Sequence, residues 1–152
     1  MVRYSGLFFN KFYTGVIEDA QEIKLPFTND ELHCTFKYIP SDDELCDELV
    51  GKEYVITLVG YACDGKNSGF EVKLPDELQK YYINYDEENP EVLKVPHITV
   101  SLAKGARAND TKNLDFRPLD TPIKVKGRFG YHIRDYKGER VSFERQRKKS
   151  KR

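Results

Sequence analysis

Of the three histidines in this 152-residue chain, His33 and His97 each have a threonine two positions on. His33-Cys34-Thr35-Phe36 and His97-Ile98-Thr99-Val100 repeat one pattern (histidine, apolar, threonine, apolar), with the histidines 64 positions apart. Ser and Thr account for 13 of 152 residues, so chance would place two such pairs in about two of a hundred chains of this composition, and the repeat is treated as a motif. An imidazole with a pKa of about 6.5 holds or releases a proton near neutrality. A pair can divide labour at a phosphodiester: one neutral ring takes the proton of an attacking water or alcohol, and the other, as imidazolium, protonates the leaving oxygen. Each transfer is worth about 10²–10⁴-fold. Two flanking hydroxyls can hydrogen-bond the non-bridging oxygens and hold the ester between the rings. This chemistry calls for no metal and no other cofactor, and its rate should follow a bell-shaped pH profile centred between about 5.5 and 8.

The elements that must position these groups are two β-strands. Alternation along a strand puts His33 and Thr35 on one face and Cys34 and Phe36 on the other. It does the same for His97 and Thr99 against Ile98 and Val100. If both strands lie in one sheet, two imidazoles and two hydroxyls enter one cleft, and Cys34 points away from it. Continued parity would add Lys37, as a phosphate-neutralising cation, and Ser101. Tyr4, Phe8 and Tyr13, near a first strand, are candidates to stack a base, and Lys104 opens the loop beyond the second motif. The competing reading makes all of these core or rim residues. His132 has Arg134 at the second position and shares parity with Lys124, Lys126 and Arg128, which predicts a surface residue. A zinc site would need Cys34 beside His33 and His97, against the parity.

Along the chain, residues 4–9 read as a strand, while residues 10–26 fit a helix or a loop equally well, and residues 28–31 read as a turn. Ser41 and Glu44 form a capping box ahead of an apolar stripe, predicting a helix over about 42–50 with Gly51 as its stop. Residues 53–63 and 70–74 predict a hairpin, residues 76–83 a short helix, and residues 104–120 a long loop. Strands are expected over 122–134 and around Val141 and Phe143. The sum is an α+β domain over residues 1–144 with more strand than helix.

The zero net charge hides an asymmetry. Residues 145–152 carry six basic groups, which leaves residues 1–144 with 19 basic and 25 acidic side chains. A body with a net charge of −6 is a poor general nucleic-acid binder. The basic end reads as a disordered tail that aids solubility or holds RNA through phosphates. Nothing reads as a secretory leader or a membrane span, and three cysteines, Cys34, Cys46 and Cys63, lack metal-ligand spacing. A cytoplasmic protein with reduced thiols, no membrane association and no obligate protein partner is expected.

Two H-x-T-x motifs at this separation resemble those of the two-histidine (2H) phosphoesterases. That superfamily includes LigT-like enzymes, RNA 2′,3′-cyclic phosphodiesterases and viral enzymes that cleave oligonucleotide second messengers. The resemblance rests on residues 33–36 and 97–100. It implies two pseudo-symmetric lobes of antiparallel sheet, outer helices, a central cleft, and His33, Thr35, His97 and Thr99 as catalytic residues. The chain length and the Gly105-Ala106-Arg107-Ala108-Asn109-Asp110 loop are similar to those of the phage branch that destroys the cyclic nucleotides of CBASS immunity. The expected activity is a metal-independent hydrolase acting on small cyclic or linear oligonucleotides. The alternatives are an RNA-end 2′,3′-cyclic phosphodiesterase and a non-catalytic protein that sequesters a nucleotide.

Overall fold

The structure is a computed structural model and describes residues 1–28 and 31–147. The chain runs β1 (Val2–Phe8), α1 (Lys11–Ala20), β2 (Phe27–Thr28), β3 (His33–Tyr38), 3₁₀ turns at Asp42–Glu44 and Asp47–Leu49, and β4 (Glu53–Cys63). It continues through β5 (Asn67–Lys73), α2 (Asp76–Gln79), β6 (His97–Leu102), a 3₁₀ stretch at Ala108–Asn113, β7 (Arg117–Asp135) and β8 (Gly138–Ser142). The fold is α+β, with one sheet in the order β2-β6-β5-β4-β7-β1-β3 and β8 paired to β7. Every strand pair is antiparallel. Among the described residues no helix is long and apolar enough to cross a membrane.

The long strand β7 joins the two parts of the sheet, pairing with β4 and with β1. Its Val125, Phe129, Tyr131 and Ile133 are buried, while Lys124, Lys126 and Arg128 between them are exposed, the period-two pattern of a sheet with one packed face. Phe36 from β3 meets Phe129 edge-on at 5.4 Å, and Leu7, Ile56, Phe70, Ile98 and Val100 complete the same core. Helix α1 resolves the ambiguous region after β1. Asn10 caps it by accepting from the Tyr13 N–H at 2.9 Å, and Ile17 is its fully buried residue.

Several expectations need correction. The helix expected over 42–50 is two 3₁₀ turns separated by Leu45 and Cys46, whose ψ angles of 138° and 57° break the helical path. The glutamate half of its capping box is present, since the Ser41 N–H donates to Glu44 Oε1 at 3.0 Å. Helix α2 is one turn instead of two. The expected loop over 104–120 contains the 3₁₀ stretch, and β7 begins earlier than expected because Arg117 and Pro118 pair with Tyr61 and Gly60. The expected turn over 28–31 includes residues 29–30, which lie outside the described residues, as does 148–152 of the basic tail. The body extends beyond 144: the Gln146 and Arg147 backbone N–H groups donate to the Asp47 carboxylate at 3.1 and 3.0 Å.

Two glycines let the histidine strands approach their neighbours. A Cβ on Gly6 would fall on the Cys34 carbonyl oxygen, and one on Gly69 would lie 2.6 Å from the Ile98 carbonyl oxygen. Both obstacles are backbone, which cannot move aside without disturbing the ladder. Gly6→Ala and Gly69→Ala should therefore each destabilise the protein by about 2 kcal/mol or more in urea unfolding. Gly15→Ala, inside α1 with no atom within 4 Å of the added Cβ, should stabilise by about 0.5–1 kcal/mol.

Candidate active site

Strands β3 and β6 lie far apart in the strand order, yet they meet in space. Residues of the two strands contact one another, and Cys34 on β3 is fully buried. The curled sheet thus brings His33, Thr35, His97 and Thr99 to a single cavity of about 30 Å³. Tyr38, Asn84, Lys94, Ala108 and Asn109 complete its wall. Larger hollows of about 330 Å³ beside Tyr61 and about 530 Å³ beside Phe143 are lined by no histidine.

The two motifs share a local design. In β3, Thr35 pairs with Gly6 and Lys37 with Ser5, so Phe36 is an extra residue in the ladder. In β6, Thr99 pairs with Gly69 and Ser101 with Ser68, so Val100 is extra in the same way. Each strand therefore carries a β-bulge immediately after its threonine, opposite a Ser-Gly pair. A bulge resets strand parity, which corrects two site expectations. Lys37 does not line the cleft and faces Glu44, with Nζ 3.8 Å from Oε2. Ser101 is fully buried, donating to Gln21 Oε1 at 2.9 Å and accepting from the Leu25 N–H at 3.1 Å.

Each imidazole is held by the carbonyl two residues before it. His33 Nδ1 lies 3.1 Å from the Glu31 carbonyl oxygen and His97 Nδ1 lies 2.6 Å from that of Val95. A carbonyl only accepts, so both Nδ1 atoms carry hydrogen and both neutral rings keep the Nε2 lone pair for chemistry. Thr99 Oγ1 donates to Thr111 Oγ1 at 2.8 Å or to the Ala108 carbonyl at 3.3 Å, and Asn67 Nδ2 donates to Thr111 Oγ1 at 3.0 Å. That chain fixes the Thr99 hydroxyl beside its histidine.

Burial dominates the protonation of both rings. It lowers the His33 pKa to about 4 against the opposing pull of the Glu31 carbonyl, and positive charge on His132 or His97 lowers it further. His97 is lowered by burial and by the Lys94 charge. Burial also pushes the Cys34 thiol up to about 12, so it is an inert packing residue at neutral pH. Among the described residues no three His, Cys, Asp or Glu side chains gather as a metal site.

The aromatic candidates separate. Tyr4 packs on His33 with ring centroids 4.7 Å apart, and Phe8 lies 5.8 Å from the same ring. Both are neighbours of the catalytic candidate, although neither lines the cavity. Tyr13 sits on α1 against Phe12 at 4.9 Å and Lys104 is exposed in the turn after β6, and neither lines the cleft. His132 is not the surface residue its parity predicted. It is half-buried: Tyr4, paired beside it on β1, stacks its ring on the imidazole at 4.9 Å with an interplanar angle of 5°.

Four cleft residues escaped the sequence reading: Tyr38, Asn84, Lys94 and Asn109. The bulge delivers Tyr38 in place of Lys37. The others lie in segments without periodicity: Asn84 donates from its side chain to the Thr35 carbonyl and accepts at its own carbonyl from the Lys94 N–H, Asn109 accepts from Lys94 Nζ, and Lys94 itself sits in an ion-pair network. Lys94 Nζ is 2.7 Å from Glu87 Oε1, and Lys112 Nζ is 3.4 Å from Glu87 Oε2 and 2.8 Å from Asp86 Oδ1. Burial alone would raise the Glu87 carboxyl, but the lysine hydrogen bonds outweigh it and hold the group at about 2.

Compared with known proteins, the chain matches no family model and no curated protein.

The depressed His33 pKa has a consequence for folding. The unfolded ring protonates near pH 6.5 but the folded one only near 4. The stability gained from a neutral folded ring is complete above 6.5 and is lost as pH falls towards 4. Urea midpoints measured from pH 8 to 4 should fall through that window, and His33→Gln should flatten the fall.

Proposed function

We propose that this protein is a metal-independent phosphodiesterase of the 2H type, acting on small cyclic oligonucleotides at their 3′-5′ linkages. The observation that carries the reading is the convergence of two histidines, each clamped through Nδ1, into one cavity with a threonine beside each. The recurring bulge, Ser-Gly partner and carbonyl clamp support the finer architecture as well, two pseudo-symmetric lobes facing each other across the cleft. His33, Thr35, His97 and Thr99 are the catalytic residues of this reading, with Tyr4 and Phe8 packed behind His33.

In the reaction, one Nε2 lone pair takes the proton of the attacking hydroxyl or water as its oxygen bonds to phosphorus. The other ring, protonated, gives its proton to the departing ribose oxygen. Each ring ends in the state the other began in, and solvent exchange resets them. The Thr35 hydroxyl donates to a non-bridging oxygen as charge builds there, and the Thr99 hydroxyl does so by turning its proton from Thr111 or the Ala108 carbonyl to the phosphate. The cavity, at about 30 Å³, suits part of one phosphate group, with sugars and bases outside it.

The −6 charge of residues 1–144 favours a short substrate over a long duplex. Destruction of a cyclic second messenger, as in a phage counter-defence role in the host cytoplasm, follows from the resemblance of the motifs. Opening of 2′,3′-cyclic phosphates on RNA uses the same paired rings, and mass spectrometry of products from cyclic di- and trinucleotides and from cyclic-phosphate RNA separates the two. A sequestering protein would bind without changing its ligand.

With chelator present, the wild type should cleave one of these substrates. His33→Ala and His97→Ala should each lower kcat by about 10²-fold or more while retaining binding. The double variant should be little worse than the slower single one, since the pair acts as a unit. Complete loss of wild-type activity in chelator, or an unaffected His97→Ala variant, would count against the mechanism. Because burial lowers both histidines in the free protein, the kcat/KM optimum should lie below about 6.5, the unperturbed histidine value, and so lower than the unperturbed rings suggested. The kcat profile should move upward once an anionic phosphate stabilises the imidazolium.

A further inference from the structure

A phosphodiester entering this cleft brings a negative charge into a partly dehydrated site, and both histidines are held neutral there by burial. Lys37, the cation expected from the sequence, is paired with Glu44 instead. Among the described residues, the lysine that lines the cavity is Lys94. Its side chain is only 1% exposed, an unusual condition for a lysine. The ammonium is held in place: Nζ donates to Glu87 Oε1 at 2.7 Å and to Asn109 Oδ1 at 3.2 Å, and lies 5.3 Å from the centroid of the Tyr38 ring. An ammonium has three N–H donors, and those two hydrogen bonds use two.

The Glu87 carboxylate that pairs with this ammonium is half exposed and is shared with Lys112, which also holds Asp86. Asn109 and Tyr38, the other two groups around the ammonium, are themselves cavity-lining residues. The cation is therefore fixed in position beside the cleft, and among the described residues its third donor has no hydrogen-bond acceptor. Its charge reaches the site, since it helps lower His97.

We propose that Lys94 is the phosphate-binding cation of this cleft, directing its third N–H to one non-bridging oxygen of the scissile phosphate and opposing the charge that builds there in the transition state. The inference rests on the phosphodiesterase reading and extends it to a residue outside both motifs. Contact with one oxygen makes the interaction stereospecific. It also limits the partner to an anionic tetrahedral group, which inorganic phosphate can represent.

Lys94→Met tests this and should fold, because Glu87 keeps Lys112 and solvent. Circular dichroism and the urea midpoint check the fold. Inorganic phosphate binding, measured by calorimetry, should weaken about tenfold or more, and kcat on the cleaved substrate should fall about 10²-fold or more. Replacing either non-bridging oxygen by sulfur should slow the wild type more for one diastereomer, and Lys94→Met should lose that preference. A purely structural lysine would not give this last result. If a folded Lys94→Met variant binds phosphate as the wild type does and keeps its turnover and its diastereomer preference, the proposal is overturned while the phosphodiesterase reading stands. If the wild type cleaves no phosphodiester but the variant loses phosphate binding, the anion site stands and the phosphodiesterase reading fails.

Discussion

The site depends on a curl in the sheet that brings β3 against β6, although six pairings separate the outermost strands β2 and β3. Without that curl the two histidines would lie on separate stretches of sheet surface, each an ordinary half-buried ring. The close approaches at Gly6 and Gly69 press each histidine strand onto its neighbour, and the bulges after Thr35 and Thr99 sharpen the local twist. Cys34 places a small inert thiol in the core on the buried side of β3. A larger residue at that fully buried position would hold the strands apart.

Once the strands meet, desolvation sets the chemistry of the cleft. Burial favours neutral imidazoles, and the backbone carbonyls of Glu31 and Val95 select which nitrogen carries the hydrogen. A free protein in that state is ready to accept a proton and needs an anion to stabilise the charged form. In the proposed reaction a substrate phosphate would supply that anion, which would couple binding to protonation. The ion-pair network supports the opposite wall. Lys94 and Lys112 both reach Glu87, joining the segment before β6 to the 3₁₀ stretch after it. This network positions Asn109 as well as Lys94 at the cleft.

The central pairs were legible because strand alternation is a strong local rule. His33 with Thr35, and His97 with Thr99, share the cavity, while Cys34, Phe36, Ile98 and Val100 are buried on the other side. The rule failed one step later at Lys37 and Ser101, because a bulge depends on the partner strand. Its signal lay elsewhere in the chain, in the repeated pairs Ser5-Gly6 and Ser68-Gly69. His132 shows another limit. Its parity with Lys126 and Arg128 was read correctly, but the ring that stacks on it comes from β1. Lys94 and Asn84 had no local signal at all. A lysine in a polar loop resembles any solvated lysine until its distant partners, Glu87 across the loop and Asn109 beyond β6, are known.

The most direct measurement of the central claim is the imidazole ¹⁵N spectrum of the protein during titration with a non-cleavable phosphodiester analogue. The account predicts that, in the free protein at pH 7, His33 and His97 are neutral and protonated on Nδ1. Their Nε2 signals should then move together along one binding isotherm. Separate isotherms, movement of only one of the two rings, or no response from either would contradict the claim that the curled sheet sets both histidines on a single phosphate.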